Sequence, residues 1–385
     1  MRTIRASGVL LCLVGMSVVG KGVAAAPPPR DSIITSLQPF VDHHALAGAV
    51  TLVATKEKTL SLESIGYADI AAGNPMRTDS VFWIASQSKP ITATALMMLV
   101  DEGKVNVDDP VEKYLPEFKG QRVVAEQDAD HVQLRSPKHP ILVRDILSHT
   151  SGLAFKSGIE VPALDLYPLA TRVRSYAMVP LLFEPGSKYQ YSNEGINTVG
   201  RIIEVVSGMP YEKFLDERLF TPLGMKDTTF WPRGEQMARL AKAYKPEKDG
   251  LVETPIDQLT YPLDDARRQP MPAGGLFSTA TDLSVFYRMI LSGGELDGHR
   301  YVSAASLKQM TSKQTGDLKD GYGFGFSVNG KHIGHGGAYN TDSGIDLDTG
   351  IIAVFLVQHA GWSEEGKQVA PTFKKAVGEM YGKTH

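Results

Sequence analysis

Ser86 and Lys89 are the residues whose types and spacing best suit covalent chemistry. They stand in the string W-I-A-S-Q-S-K-P, which ends at Pro90. Proline lacks the N–H that an interior helical position donates, so Pro90 predicts that the residues before it form the first turn of a helix. Side chains three positions apart share a helix face, which brings the Lys89 amine within reach of the Ser86 hydroxyl. Because burial lowers the pKa of a lysine, the pair can supply a nucleophile and its base.

Ser86 also has an ordinary structural interpretation. Serine is favoured at helix N-caps because its oxygen accepts from free backbone N–H groups. On spacing alone this is the commoner explanation, since roughly one Ser-x-x-Lys string is expected by chance in such a chain. Two further segments of the sequence bear on whether Ser86 is a nucleophile or a helix cap.

The first segment is E-P-G-S-K-Y-Q-Y-S-N, which precedes a predicted helix. Its Pro-Gly turn delivers Tyr191 and Asn193 in a loop, where catalytic groups are commonly carried. Tyr191 is a candidate for proton transfer, and Asn193 for hydrogen bonding to the substrate and for holding Lys89. A packed tyrosine and an asparagine cap explain this segment equally well when it is taken alone.

The second segment is the string H-G-G-A near the end of a predicted strand. His335 offers a side chain to a substrate anion, and Gly336 and Gly337 let a ligand approach the backbone. The N–H of Ala338 is a candidate oxyanion donor together with that of Ser86. Taken alone, the string is weak, because glycines in strands also mark bulges.

In this order the three segments resemble the serine β-lactamase and penicillin-binding-protein superfamily. Within it, the chain is most similar to class C β-lactamases and their relatives, which are DD-peptidases, D-aminopeptidases and β-lactamase-like esterases. The resemblance runs from about Ser32 to the C-terminus. It is supported by strings in family order, among them GYADI, VRDILSHTSGL, PLGMKDT, PAGGLFSTATDLSVF and GYGFGF.

The resemblance implies an acyl-enzyme on Ser86, activated by Lys89 and Tyr191. It implies an oxyanion hole from the backbone N–H groups of Ser86 and Ala338, and neither a metal nor an organic cofactor. The expected substrate is a small molecule or peptide, namely a β-lactam, a D-amino-acid peptide or an ester. Substrate binding is expected to involve Asn193, His335, Gly336, Gly337 and Ala338.

His335 departs from the family pattern, since most β-lactamases of this kind carry Lys-Thr-Gly on the same strand. A lysine there is a permanent cation for a substrate carboxylate, whereas a histidine is mostly neutral at pH 7. Histidine is found at this place among peptidase and esterase relatives. We therefore expect hydrolysis of an amide or ester. The alternative is a degenerate scaffold, a sensor or binding protein that kept the fold and lost turnover.

Strand-like patterns at both ends of the chain flank helix-like patterns in its middle. This arrangement predicts an α+β protein whose N- and C-terminal strands share one antiparallel sheet, with a mainly helical second lobe and a ligand cleft between them. The expected division is a signal peptide at 1–26 and a hydrolase domain at 27–385, with an α/β lobe at about 32–85 and 300–385 and a helical lobe at about 86–299.

The N-terminal segment has two arginines, an apolar run over Val9–Val19 and small residues up to Ala26. These features are typical of a secretory signal peptide cleaved near Ala25 or Ala26, which predicts a periplasmic or secreted protein. The run is short for a bilayer span, although an uncleaved anchor is the alternative. Cys12, the single cysteine, lies in this segment, so the mature chain is expected to lack thiol chemistry.

Several other function classes are disfavoured. The 40 basic and 43 acidic residues give a formal charge of −3 without long runs of one sign, which is not the footprint of a nucleic-acid-binding protein. The sequence has no Gly-x-Ser-x-Gly or His-Glu-x-x-His string. The string G-W-S-E-E-G-K-Q carries Gln368 where a phosphate loop needs Ser or Thr, so we interpret it as a turn. His149 is predicted to be a structural hydrogen-bonding residue near the cleft.

Overall fold

The computed structural model describes residues 32–248 and 250–382. The predicted signal peptide at 1–26 lies outside the described residues. The strands are β1 Gly48–Ala54, β2 Thr59–Asp69, β3 Asn74–Pro75, β4 Phe82–Trp83, β5 Val123–Gln127, β6 Val132–Arg135, β7 Ala243–Glu247, β8 Gly250–Thr254, β9 Phe277–Ser278, β10 Glu295–Leu296, β11 His299–Arg300, β12 Ser327–Asn329, β13 His332–Gly336, β14 Asp342–Asp346 and β15 Ile351–Leu356. The α-helices are α1 Ile33–Asp42, α2 Ser88–Asp101, α3 Val143–Leu147, α4 Leu169–Ala177, α5 Asn193–Ser207, α6 Tyr211–Leu215, α7 Thr221–Leu223, α8 Glu235–Ala238, α9 Ala280–Leu291, α10 Ala304–Thr311 and α11 Val369–Tyr381.

The terminal strands pair in one antiparallel sheet, as the sequence predicts. Its order is β12-β13-β14-β15-β1-β2-β3, so the first strand of the chain pairs with the last. This confirms the α+β class.

Both faces of the sheet are covered, and the alternation of side chains along β1 explains how. Ala49 and Val53 point to one face and belong to the cluster formed with α1 and α11. Val50 and Leu52 point to the other face and belong to the main core, together with α9. Successive side chains of a strand point to opposite faces, so a continuous apolar run suits a strand buried on both sides.

The second part of the fold is centred on α2, whose side chains from Ser88 to Leu99 are all buried. A helix that is apolar all round must lie inside the protein. It packs against α5, which also contacts α3 and α4. The helix ends just before Gly103, whose φ of +69° is the left-handed conformation that glycine adopts without strain. The division into lobes at residues 86 and 299 stays a prediction.

The polar segment from Phe118 to His139 contains the β5–β6 hairpin. Most of its side chains are exposed. Within residues 32–248 and 250–382, no helix combines the length and the apolar character that crossing a membrane requires.

Candidate active site

Ser86 lies in a short 3-10 turn, Ala85–Gln87, that leads into α2. Ala85 has a φ of +46°, a left-handed conformation that is strained for a residue with a side chain. Within the described part of the chain, the Ser86 hydroxyl accepts from no backbone N–H and contacts Lys89 instead. The geometry therefore favours a presented hydroxyl over a helix cap.

Lys89 is fully buried beneath Ser86, and its Nζ has three oxygen neighbours. They are Ser86 Oγ at 3.1 Å, Asn193 Oδ1 at 2.8 Å and the carbonyl oxygen of Ala273 at 2.7 Å. Burial lowers the pKa of Lys89 well below its usual value, because desolvation penalises the cation. A neutral amine donates two N–H groups, here to Asn193 and Ala273, so its lone pair faces the Ser86 hydroxyl. This is the geometry of a general base.

Tyr191 stands on the other side of the nucleophile. Its ring centroid is 4.5 Å from Lys89 Nζ. Burial raises the pKa of Tyr191 above its usual value, and the nearby Ser86 hydroxyl opposes this only in part. The phenol is therefore protonated at neutral pH and can act as a proton donor.

His335 is held as a neutral ring. Its Nδ1 is 2.7 Å from the carbonyl oxygen of Gly336, to which it donates, so Nε2 accepts from the Tyr322 hydroxyl at 3.0 Å. Burial, reinforced by nearby Lys89, lowers the pKa of His335 to about 3. Its Nε2 is also 3.4 Å from the Tyr191 hydroxyl. No permanent positive charge therefore stands at this position of β13.

The contact of Tyr322 with His335 was not predicted, because the string G-Y-G-F-G-F contributed only to the family resemblance.

The backbone after β13 lies against the turn that carries the nucleophile. A Cβ on Gly337 would lie 2.6 Å from the carbonyl oxygen of Ile84 and 2.2 Å from Thr341 Oγ1, so only glycine fits. Within residues 32–248 and 250–382, the N–H groups of Ser86 and Ala338 have no hydrogen-bond acceptor. These are the two donors that the sequence predicts for an oxyanion hole.

The Tyr-Ser-Asn segment is attached to the loop that follows α3. Ser192 caps α5, since its Oγ accepts from the N–H of Gly195 at 3.0 Å. The same hydroxyl donates to the carbonyl oxygen of Ala154 at 2.6 Å, and the N–H of Asn193 donates to that of Phe155 at 3.1 Å. Ser192 is therefore the helix cap, and the side chain of Asn193 accepts from Lys89 instead.

Glu194 adds a third contact to this loop, because its Oε2 accepts from the N–H of Ala154 at 3.0 Å. Burial, with a smaller effect of the nearby Glu160 carboxylate, raises the pKa of Glu194 to about 7. This carboxyl was not singled out from the sequence, although it directly follows Asn193.

His149 lies behind Tyr191, in the structural role predicted for it. Its Nδ1 accepts from the N–H of Ser192 at 3.2 Å, and its ring centroid is 4.5 Å from those of Tyr191 and Tyr322. Burial lowers the pKa of His149 well below its usual value. The ring is neutral and packs against that of Tyr191.

Asn197 is a positioning residue that sequence reasoning missed. Its Oδ1 accepts from the N–H of Ala273 at 3.1 Å, and its Nδ2 donates to the Tyr176 hydroxyl at 3.0 Å. The Tyr176 hydroxyl in turn donates to Glu160 Oε1 at 2.7 Å. This buried network holds the residue whose carbonyl accepts from Lys89. The string P-A-G-G-L-F-S was the only signal for it in the sequence.

Comparisons with known proteins identify the family of the chain. The sequence model of the family described as Beta-lactamase matches residues 33–374. An uncharacterized protein of Mycobacterium tuberculosis is 31% identical over 363 residues, 84% of this chain and 88% of its own length. Esterase EstB of Burkholderia gladioli is 35% identical over 199 residues, 48% of this chain and 47% of its own. A putative D-alanyl-D-alanine carboxypeptidase of Salmonella agona is 27% identical over 73% of this chain and 68% of its own length.

Solved structures share the fold. EstCE1, described as a hydrolase with promiscuous acyltransferase activity, has a TM-score of 0.75 and 23% identity over 90% of this chain and 97% of its own. The octameric penicillin-binding protein homologue from Pyrococcus abyssi has a TM-score of 0.70 and 23% identity over 91% of this chain and 77% of its own. The chain therefore belongs to the β-lactamase family, within the superfamily of serine β-lactamases and penicillin-binding proteins.

Proposed function

We propose that this protein hydrolyses an uncharged ester through an acyl-enzyme on Ser86, as a carboxylesterase-type serine hydrolase. The neutral state of His335 is the observation that carries this proposal. Its Nδ1 donates to its own strand and its Nε2 accepts from Tyr322, so the ring offers no cation to a carboxylate. β-Lactam antibiotics and D-alanyl-D-alanine peptides both carry a carboxylate, whereas a simple ester does not.

Acylation follows from the contacts of Ser86. The lone pair of neutral Lys89 takes the hydroxyl proton while Oγ attacks the ester carbonyl carbon. The resulting oxyanion accepts from the N–H groups of Ser86 and Ala338. When the bond to the alcohol oxygen breaks, Tyr191 donates a proton to that oxygen, and the proton on Lys89 restores the phenol. An acyl group then remains on Ser86, and a neutral alcohol leaves.

Deacylation reverses these roles with water as the nucleophile. Lys89, neutral again, takes a proton from water, and the hydroxide adds to the acyl carbonyl, whose oxygen returns to the oxyanion hole. Breaking the bond to Ser86 Oγ releases the carboxylic acid, and the proton on Lys89 returns to the serine.

The relatives support a hydrolase in general and leave the substrate open. One curated relative is named an esterase, and others are named putative D-alanyl-D-alanine carboxypeptidases. The lack of a positive charge at His335 favours the esterase activity for this chain.

Covalent labelling and a substrate panel test the proposal. Intact-protein mass spectrometry should show one fluorophosphonate adduct on the wild type and none on Ser86→Ala, with similar melting temperatures. Steady-state assays should show a higher kcat/KM for p-nitrophenyl acetate than for nitrocefin or a D-alanyl-D-alanine peptide. A folded wild type that forms no adduct would refute the nucleophile. A single turnover per protein molecule would point to the sensor alternative.

A charge substitution tests the role assigned to His335. His335→Lys should raise the ratio of nitrocefin to ester kcat/KM by about tenfold or more, because hydrogen bonds to charged groups contribute about 1.5–3 kcal/mol. His332→Lys is the matched control, since residue 332 is exposed on the same strand and an odd number of positions away, so its side chain points to the opposite face. Equal ratios in both variants would mean that the charge at position 335 does not select the substrate.

We further propose that the protein is exported. The support is the N-terminal pattern of arginines, an apolar run and small residues. Expression of the full chain in a bacterial host should give a periplasmic or secreted product with a new N-terminus near residue 26. A product that keeps residues 1–26 and stays in the cytoplasm would contradict this.

A further inference from the structure

Two loop segments, 153–168 and 255–270, together form what we call the acyl wall. The first segment is fixed beside the catalytic tyrosine by its contacts with Ser192, Asn193 and Glu194, all made by Ala154 and Phe155. One end of the wall is therefore attached next to Tyr191.

The second segment is fixed beside the oxyanion hole. Tyr339 directly follows Ala338, and its hydroxyl donates at 3.0 Å to the carbonyl oxygen of Pro255. The Tyr339 hydroxyl oxygen in turn accepts from the N–H of Asp257 at 3.3 Å. Tyr339 is buried, with its ring edge to face against Trp83. The other end of the wall is therefore attached next to Ala338.

The two segments are also joined to each other. Asp165 Oδ1 accepts from both the N–H and the hydroxyl of Thr260, each at 2.8 Å, and Asp165 Oδ2 accepts from Arg268 Nε at 2.7 Å. Asp165 and Arg268 are buried, so this is an internal pair that positions the backbone. The wall is thus a continuous strip that connects the Tyr191 side of the site to the Ala338 side.

The buried charges of the acyl wall, Asp165 and Arg268, pair with each other, whereas several of its apolar side chains are exposed to solvent. Exposed apolar side chains next to a reactive group are typical of a ligand-binding surface. Phe155 contacts Tyr191: it is 46% exposed, and its ring stacks on that of Tyr191 with centroids 6.3 Å apart. The other exposed apolar residues of the wall are Val161, Leu166, Tyr167 and Tyr261.

We propose that the acyl wall binds an apolar acyl group of the ester substrate, with Phe155 as its main contact. This inference rests on the proposed function and adds the substrate class to it. The acyl group stays on Ser86 through both chemical steps, whereas the alcohol leaves after the first. The acyl wall is attached on the Tyr191 side and on the Ala338 side of the site. It can therefore contact the acyl group in the transition states of both acylation and deacylation. Each further methylene of the acyl chain buries more apolar surface against the wall, so longer acyl chains are preferred.

The test compares acyl chain lengths in two variants. The substrates are p-nitrophenyl acetate, butyrate and hexanoate, which share one leaving group. Phe155→Ala should lower the ratio of hexanoate to acetate kcat/KM by about tenfold, the equivalent of about 1.4 kcal/mol. Phe155→Leu, which keeps an apolar contact, should lose much less. Met178→Ala is the control, because Met178 is 84% exposed and lies outside the wall.

Three results would overturn the inference. The first is an unchanged hexanoate-to-acetate ratio in Phe155→Ala. The second is a change in discrimination among ethyl, butyl and hexyl acetates without a change among acyl chains, which would assign the wall to the alcohol. The third is a wild type that hydrolyses no ester and forms no fluorophosphonate adduct, which would refute the proposed function itself. The first two leave the proposed function standing.

Discussion

Lys89 donates to the carbonyl oxygen of Ala273 across 2.7 Å, and this contact determines which way its amine points. With the second N–H taken by Asn193, the remaining lone pair is directed at Ser86. The segment that carries Ala273 is itself held, because Trp83 Nε1 donates to the carbonyl oxygen of Gly274 at 2.7 Å. The orientation of the Lys89 amine thus depends on a backbone carbonyl from a distant part of the chain.

The first prediction concerns the pH dependence of ester hydrolysis. Lys89 acts as a base only when it is neutral, so kcat/KM should rise with pH as its proton is lost. Burial lowers its pKa, so the midpoint should lie well below the usual value of 10.5. The pKa of His335, about 3, keeps that histidine out of this transition. The measurement is kcat/KM for p-nitrophenyl acetate from pH 5 to 10, corrected for spontaneous hydrolysis.

The control for this profile is Lys89→Met, an apolar side chain of similar length. It should lower kcat/KM by a factor of about 10² to 10⁴ and remove the pH-dependent rise. A wild-type midpoint near 10.5, or the same rise in Lys89→Met, would exclude Lys89 as the base.

The second prediction concerns Asn197, which holds Ala273 without reaching the substrate. Asn197→Ala frees the N–H of Ala273, so the carbonyl that orients Lys89 is less well fixed. We expect a loss of kcat of about tenfold with little change in KM, and a shifted midpoint of the pH profile. A defect that only lowered the fraction of folded protein would reduce the apparent rate without moving that midpoint.

Thr94→Val is the matched control for Asn197→Ala. Thr94 is also fully buried and hydrogen-bonded, but it donates only to the carbonyl oxygen of Pro90 in its own helix. The control should keep the wild-type pH profile even if its melting temperature falls. An unchanged profile in Asn197→Ala, with normal kcat, would show that Asn197 has no positioning role.

Local patterns predicted much of the site, and long-range contacts account for what was missed. Ser86 and Lys89 were singled out because their spacing and Pro90 act within one helical turn, and the segments of Tyr191 and His335 then favoured a chemical role over a helix cap. The contact of Lys89 with Ala273 joins residues 184 positions apart, and no local pattern encodes it. Local patterns also predicted only part of the fold. The apolar runs of β1 and β15 predict strands. β14 has the sequence D-S-G-I-D, which lacks such a run, and it is defined only by its pairing with β13 and β15.

The third prediction compares two adjacent glycines. A Cβ on Gly336 would meet only the carbonyl oxygen of Thr341, at an ordinary 3.6 Å, whereas one on Gly337 would collide with Thr341 and with the backbone of Ile84. Gly337→Ala should therefore push the end of β13 away from the nucleophile turn. We expect it to lose about 1–3 kcal/mol of stability and most of its activity. Gly336→Ala should keep a near-wild-type melting temperature in thermal denaturation. Similar melting temperatures for the two variants would contradict this packing.

The fourth prediction concerns stability and Glu194. Its pKa of about 7 in the folded protein lies above the usual 4.5, so the folded state binds this proton more tightly than the unfolded state. The resulting stabilisation is complete below pH 4.5 and is lost as pH rises through 7, by about 3 kcal/mol at most.

Glu194→Gln cannot ionise, and its amide oxygen can still accept from the N–H of Ala154. The melting temperature of this variant relative to the wild type should therefore rise by a few degrees between pH 5 and pH 8. Glu117 is exposed, so Glu117→Gln is the control that measures how far any Glu-to-Gln substitution changes the melting temperature over this pH range. A melting-temperature difference that is constant across this range would mean that Glu194 titrates alike in the folded and unfolded protein, and that its burial does not destabilise the carboxylate.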